Sequence, residues 1–202
     1  IIKLAPVYLA LKSQSQTEPV WIATGQHQEL AAQALAPFQI KPDVTLQAMT
    51  PGQSLNSLLS RLIETLSASF ESLAPAQVVV QGDTTSALAA TLAAFQLEIP
   101  VAHVEAGLRT YNLQSPFPEE ANRQLISRLA ALHFCPTERA ARNLANEGIS
   151  AGVHVSGNTI VDALEHMKAL LINIPTSVDT LLSGIIKQDP FVLVTAHRRE
   201  NF

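Results

Sequence analysis

The feature that most constrains this chain is an alternation. Short apolar runs rich in valine and isoleucine are each followed by a longer segment with leucine or alanine at three- and four-residue spacing. A short apolar run suits a strand buried on both faces, and the longer segments carry one apolar helical face. Repeated in that order, such units bring strands side by side in parallel with helices crossing between them. Strands are predicted at 20–23, 44–48, 78–81, 101–104, 133–135, 153–155 and 191–195. Helices are predicted at 6–12, 28–36, 55–73, 85–96, 119–131, 138–147 and 159–171. The stretch 173–189, with Pro175, Ser177 and Gly184, breaks the rhythm and reads as a connection.

Composition narrows the class. Hydrophobic residues make up 47% of the 202 and charged ones 15%, a balance that suits a sheet covered on both faces and excludes disorder. The length accommodates one large domain, or one domain with part of another. A net charge of -4 gives no general attraction for nucleic acid. An anionic ligand therefore needs a local cluster of cations, of which His197-Arg198-Arg199 is one. No apolar run approaches the ~20 residues that span a bilayer. The single cysteine, Cys135, cannot close an internal disulfide, and no basic-then-apolar leader opens the chain, so a cytoplasmic, soluble protein is expected. Both ends read as cut. The chain opens on helical residues around Ile2 and Lys3 with no strand before them, and it closes at Phe202 directly after a predicted strand. A fragment is expected.

In open parallel sheets ligands bind beyond the carboxyl ends of the strands. Polar residues directly after an apolar run are therefore the first candidates for chemistry. Asp83 follows 78–81 and reads either as a helix N-cap or as a functional carboxylate, since Thr84 or Thr85 could cap equally well. Glu105 follows 101–104, where a carboxylate without a partner is costly. It reads either as a structural ion pair with Arg109 or Arg123, or as a group for proton transfer. Glu119 and Glu120 open a helix behind Pro116 and Pro118, where they complement the positive end of the dipole, and a carboxylate there could share a site with Glu105. His197 follows 191–195 and, with Arg198 and Arg199, suits a phosphate. Lys3 stands alone and carries little weight by itself. Cys135, within a predicted strand, reads as core. No His-Glu-x-x-His, Cys-x-x-Cys or Gly-x-Gly-x-x-Gly pattern occurs, so neither a metal nor a nicotinamide cofactor is expected. Carboxylates facing cations suit proton abstraction from carbon coupled to departure of a phosphate-bearing group.

The ordered set of motifs resembles the non-hydrolysing UDP-N-acetylglucosamine (UDP-GlcNAc) 2-epimerases. The matching pieces are Ile2-Lys3-Leu4-Ala5-Pro6, Thr24-Gly25-Gln26-His27, Pro51-Gly52-Gln53 and Gln81-Gly82-Asp83-Thr84-Thr85. They continue with His103-Val104-Glu105-Ala106-Gly107-Leu108-Arg109-Thr110 and Ser115-Pro116-Phe117-Pro118-Glu119-Glu120-Ala121-Asn122-Arg123. Ser156-Gly157-Asn158-Thr159 and Thr195-Ala196-His197-Arg198-Arg199-Glu200-Asn201 complete the set. The resemblance implies an α/β, Rossmann-like parallel-sheet domain of a GT-B-type two-domain fold. Residues 1–157 would form the first domain, its first strand missing ahead of Ile1, and 158–202 would open a truncated second one.

The resemblance also implies reversible conversion of UDP-GlcNAc to UDP-ManNAc through 2-acetamidoglucal, without a redox cofactor or metal, in a homodimer. By motif, Asp83, Glu105 and Glu119 would be the acid/base carboxylates, with His197 against the substrate or its diphosphate. Lys3 would lie near the substrate, and Gln26, Gln53 and Arg198 would bind a second, regulatory UDP-GlcNAc. With one wall of the cleft absent, this chain alone is expected to have negligible activity. A hydrolysing epimerase, a GT-B glycosyltransferase and a non-catalytic nucleotide-sugar-binding module remain the alternatives.

Overall fold

A computed structural model describes residues 1–25, 28–50, 52–173 and 192. The chain falls into two units, Ile1–Met167 and Lys168–Phe202, and the description below concerns the first. Among the described residues there are six strands: β1 (Ile22–Ala23), β2 (Val44–Thr45), β3 (Val78–Gln81), β4 (Val101–Val104), β5 (Leu132–Cys135) and β6 (Val153–Val155). The helices are α1 (Ala5–Lys12), α2 (Gln28–Leu35), α3 (Leu55–Leu73), α4 (Thr85–Gln96), α5 (Glu119–Leu129), α6 (Glu138–Asn146) and α7 (Ile160–Asn173). The alternation read from the sequence holds through α7, and the predicted strand at 191–195 lies outside the described residues. A 3₁₀ turn at Ala36–Phe38 was not expected. Pro37 lacks the N–H that would extend α2, and Gln39 then takes a left-handed conformation at φ 54°.

Among the described residues every pairing is parallel. β1 joins β2 in one sheet, and the second has the order β3-β4-β5-β6. Gln81 is in register with Val104, and Val104 with Phe134, so these strands end together and the loops that follow them share one edge. All four residues of β4 are buried, as a strand covered on both faces requires.

Helix α3 shows how the pattern becomes a core. Leu58, Leu62, Leu66 and Phe70, each four residues on, are all buried and meet Val78, Val80, Leu88 and Val101 in the main cluster. The Ser54 hydroxyl caps its first turn by accepting from the Ser57 N–H at 3.1 Å. Helix α4 packs between α3 and α5, and Ala87, Ala89, Ala93 and Ala94 let the neighbouring helices approach closely. A second cluster gathers Ala5, Trp21, Leu35, Phe38 and Ile40. Cys135 is fully buried with Ala106, Ala140 and Leu144 in a third, so it is core, as the sequence suggested.

Candidate active site

The β3 and β4 carboxyl ends bring Asp83 and Glu105 to one edge of the sheet. The Gly82 N–H donates to the Val104 carbonyl at 3.1 Å, continuing the β3–β4 ladder one residue beyond the strand. A Cβ on Gly82 would stand 3.9 Å from Glu105 Oε2. Thr84 caps α4, accepting from the Ala87 N–H at 3.2 Å. The N-cap reading of Asp83 is thereby corrected, and its carboxylate is left for other work.

That carboxylate is held by Arg123, whose Nη2 donates to Asp83 Oδ2 at 2.6 Å. Burial pushes the Asp83 carboxyl above the usual carboxylate range. Arg123 opposes the shift, while the charges of Glu119 and Glu105 add to it. Glu119 stands half-buried in the first turn of α5. Asp83, Glu105 and Glu119 thus lie close enough to share one electrostatic field.

Glu105 sits at φ +67°, a conformation that costs a residue with a side chain on the order of 1–2 kcal/mol and marks a position held for a reason. Neither Arg109 nor Arg123 is its partner, as the sequence had suggested. The Arg109 guanidinium, with no exposed surface, is committed to Glu147 through Nε at 2.7 Å and Nη2 at 2.9 Å. Glu105 is paired instead with Lys3, which donates to Oε1. Gln81 Nε2 donates to Oε2 at 2.5 Å, and Asn158 Nδ2 to Oε1 at 3.3 Å. The low weight given to Lys3 was therefore mistaken, because a cation 102 residues away reaches the site only once the fold is closed. Gln81 and Asn158 lie within the motifs quoted above, yet nothing in the sequence marked them as partners of Glu105.

The loop between β4 and α5 is pinned by the fully buried Glu120. Its Oε2 accepts from the Thr110 N–H and its Oε1 from the Tyr111 N–H, both at 3.0 Å, and Gln124 Nε2 donates to Oε1 at 2.8 Å. Burial alone would raise its pKa, but these bonds and Arg123 together bring it below the usual value. The site's floor is His103, also fully buried. Its Nε2 donates to the Gly82 carbonyl at 2.8 Å, and burial pushes its pKa down to about 4. Its Nδ1 is buried without a hydrogen-bond partner. Gly107, at φ +82°, closes the corner. A Cβ there would stand 2.2 Å from the Ala140 carbonyl oxygen, so only glycine lets the loop pass α6.

Gln53 bonds within its own turn, its Oε1 accepting from the Thr50 N–H at 3.1 Å and Thr50 Oγ1 at 2.9 Å. Gln26, His197 and Arg198 lie outside the described residues. Among the described residues no three histidine, cysteine or acidic side chains group as metal ligands, and no helix is long and apolar enough to cross a membrane. An open depression of about 350 Å³ borders His133, Arg128 and Ile149. It lies at the opposite, amino-terminal end of β5 and β6, remote from the carboxylates.

Three carboxylates at the ends of neighbouring parallel strands and the adjoining helix, two of them paired with cations, now carry a comparison with known proteins. Residues 9–202 match the family profile described as UDP-N-acetylglucosamine 2-epimerase. The chain belongs to the UDP-N-acetylglucosamine 2-epimerase family. It is 45% identical over 203 residues to the UDP-N-acetylglucosamine 2-epimerase of Neisseria meningitidis, a match covering 99% of this chain and 55% of that one. A crystal structure of a UDP-GlcNAc 2-epimerase from N. meningitidis bound to UDP-GlcNAc superimposes with a TM-score of 0.82 at 47% identity, covering 85% of this chain and 47% of the other. A co-structure of S. aureus MnaA with UDP matches with a TM-score of 0.87 at 41% identity, covering 99% and 52%. The Rossmann-like α/β domain expected of an epimerase is thus present, and the chain spans about half the length of the curated relatives it matches.

Proposed function

We propose that this chain supplies one wall of an active site that interconverts UDP-GlcNAc and UDP-ManNAc. The observation that carries the reading is the meeting of Asp83 and Glu105 at one sheet edge, with the Asp83 carboxyl shifted upward by burial. A carboxyl with a raised pKa exchanges protons closer to neutral pH than a solvated one. In the proposed reaction a carboxylate of this group takes the proton from sugar C2. The C1–O bond breaks with its electron pair leaving on UDP, and 2-acetamidoglucal remains. Return of a proton to the opposite face of C2, with UDP adding back at C1, gives the epimer.

Lys3, Gln81 and Asn158 hold the Glu105 carboxylate in a fixed orientation. Asp83, Glu105 and Glu119 are the proposed acid/base residues, with Lys3 beside the substrate and His197 against its diphosphate. Gln53 belongs with Gln26 and Arg198 to the proposed regulatory UDP-GlcNAc site. The epimerase from N. meningitidis was solved with UDP-GlcNAc bound and S. aureus MnaA with UDP, which supports a nucleotide sugar as ligand. A second domain from about residue 158, a homodimer and a cytoplasmic location belong to the same proposal.

The test uses the enzyme that carries this chain, incubated with UDP-GlcNAc in heavy water. Deuterium at C2 and recovery of UDP-ManNAc are expected. Free ManNAc in place of the nucleotide sugar identifies a hydrolysing epimerase, and binding without exchange identifies a binding module. The 202-residue chain assayed alone is expected to turn over negligibly, because it spans about half the length of its relatives.

A further inference from the structure

The first turns of α5 grip the β3–α4 loop at two points. Asn122 Nδ2 donates to the main-chain carbonyl of Asp83 at 2.8 Å, and Arg123 Nη2 to its carboxylate at 2.6 Å. From below, His103 Nε2 holds the neighbouring Gly82 carbonyl. The Arg123 guanidinium also has its Nη1 3.4 Å from Glu120 Oε2. It thereby spans the candidate carboxylate and the fully buried anchor of the β4–α5 loop. Its own Nε is buried without a hydrogen-bond partner, an arrangement that stability alone does not favour, since a buried cation is retained cheaply only when all its donors are satisfied.

Resting on the reading above that Asp83 takes part in proton transfer, we propose that Arg123 is its positioning residue: the planar fork, braced on Glu120, fixes where the Asp83 carboxylate points. A lysine has the charge but not the fork. Asp83 is faced by Arg123 and Glu119 from α5 and by Glu105 from the end of β4. Lys3 pairs with Glu105, His103 is bonded to the Gly82 carbonyl below, and α4 contributes no charged side chain. Among the described residues Arg123 is therefore the cation that opposes the upward pull of burial and of the two carboxylates on Asp83. Removing it moves whichever limb of the pH–rate profile Asp83 governs to higher pH, whether Asp83 acts as base or as acid.

The experiment compares wild type, Arg123→Lys, Arg123→Met and Asp83→Asn in the enzyme that carries this chain, each checked for fold by circular dichroism. Arg123→Met is expected to lower kcat by about 10²-fold, the cost of a small misplacement of a reacting group, with KM changed less than about threefold and the limb moved to higher pH. Arg123→Lys, which retains the charge and disturbs folding least, is expected to lose kcat by about tenfold with the limb near its wild-type position. Wild-type kcat in Arg123→Lys overturns the proposal by itself, even if Arg123→Met does not fold. A fall in kcat in Arg123→Met with the limb unmoved also overturns it and leaves Arg123 a merely structural strut. Wild-type turnover in Asp83→Asn sinks the underlying reading of Asp83, whereas an inactive Asp83→Asn beside unaffected Arg123 variants sinks the positioning role alone.

Discussion

Lys3 and Glu105, 102 residues apart in the chain, form an ion pair at the carboxyl end of β4. The lysine comes from the turn ahead of α1, and the carboxylate stands on a left-handed residue that ends the most buried strand. Pairing fixes where the carboxylate points. In the enzyme that carries this chain, Lys3→Met is expected to lower the C2 exchange rate by about ten- to a hundredfold, the worth of one charge-assisted hydrogen bond. Deuterium uptake by NMR reads the effect. An unchanged rate removes Lys3 from the site.

The two central carboxylates are expected to differ from surface acids in their response to neutral isosteres. Asp83→Asn and Glu105→Gln should each reduce exchange by about 10²-fold or more. Glu71→Gln, at an exposed position on α3, should leave the rate within twofold. Equal activity across all three would place the chemistry elsewhere.

Glu120 anchors the loop and is not proposed to meet the substrate. Its pKa lies below the unfolded value of about 4.5, so the stability it contributes is present above that pH and is lost as pH falls through the folded value. Glu120→Gln is expected to be less stable at neutral pH by about 3 kcal/mol, having left Arg123 and two backbone N–H groups short of a charged acceptor. It should also show a shallower loss of stability in acid. Urea titrations between pH 3 and pH 7, on the order of one unit apart, make both comparisons.

His103 gives a second pH window with the same sign. Its pKa is lowered from 6.5 to about 4, so its favourable contribution is complete above the unfolded value and declines as pH falls from 6.5 toward 4. Full protonation of the unfolded chain over that interval weakens folding by about 3 kcal/mol. His103→Gln, which can still donate to the Gly82 carbonyl, should flatten the profile. A wild-type profile already flat between those values contradicts the buried, neutral imidazole.

Gly107 and Gly148 separate backbone strain from collision. Both have positive φ, but a Cβ on Gly107 meets the Ala140 carbonyl at 2.2 Å, whereas one on Gly148 meets nothing within 4 Å. Gly148→Ala is expected to cost about 1 kcal/mol. Gly107→Ala is expected to cost about 3 kcal/mol or more, because α6 must shift. Thermal melts of the two variants suffice, and equal Tm values refute the collision.

Much of this was legible beforehand, for local reasons. The β-branched runs that became β3 and β4 and the four-residue apolar spacing of α3 are encoded within short windows, and so is the placing of Asp83 and Glu105 just beyond strand ends. Pairing was not legible. Arg109 and Arg123 were the nearest cations to Glu105 in sequence, yet they face Glu147 and Asp83. The 3₁₀ turn at Ala36–Phe38 was also missed, since a single tight turn directly after a helix has no period of its own to read.

The sequence by itself determined the order of strands and helices, the family and the placing of Asp83 and Glu105 just beyond strand ends, because each rests on side-chain periodicity or contiguous motifs. Only the tertiary structure decided which cation serves which acid, that Thr84 rather than Asp83 caps α4, and that Glu120 is an internal anchor. Those outcomes depend on distances between residues tens of positions apart. Such distances are set by parallel register and helix packing, which no local pattern contains.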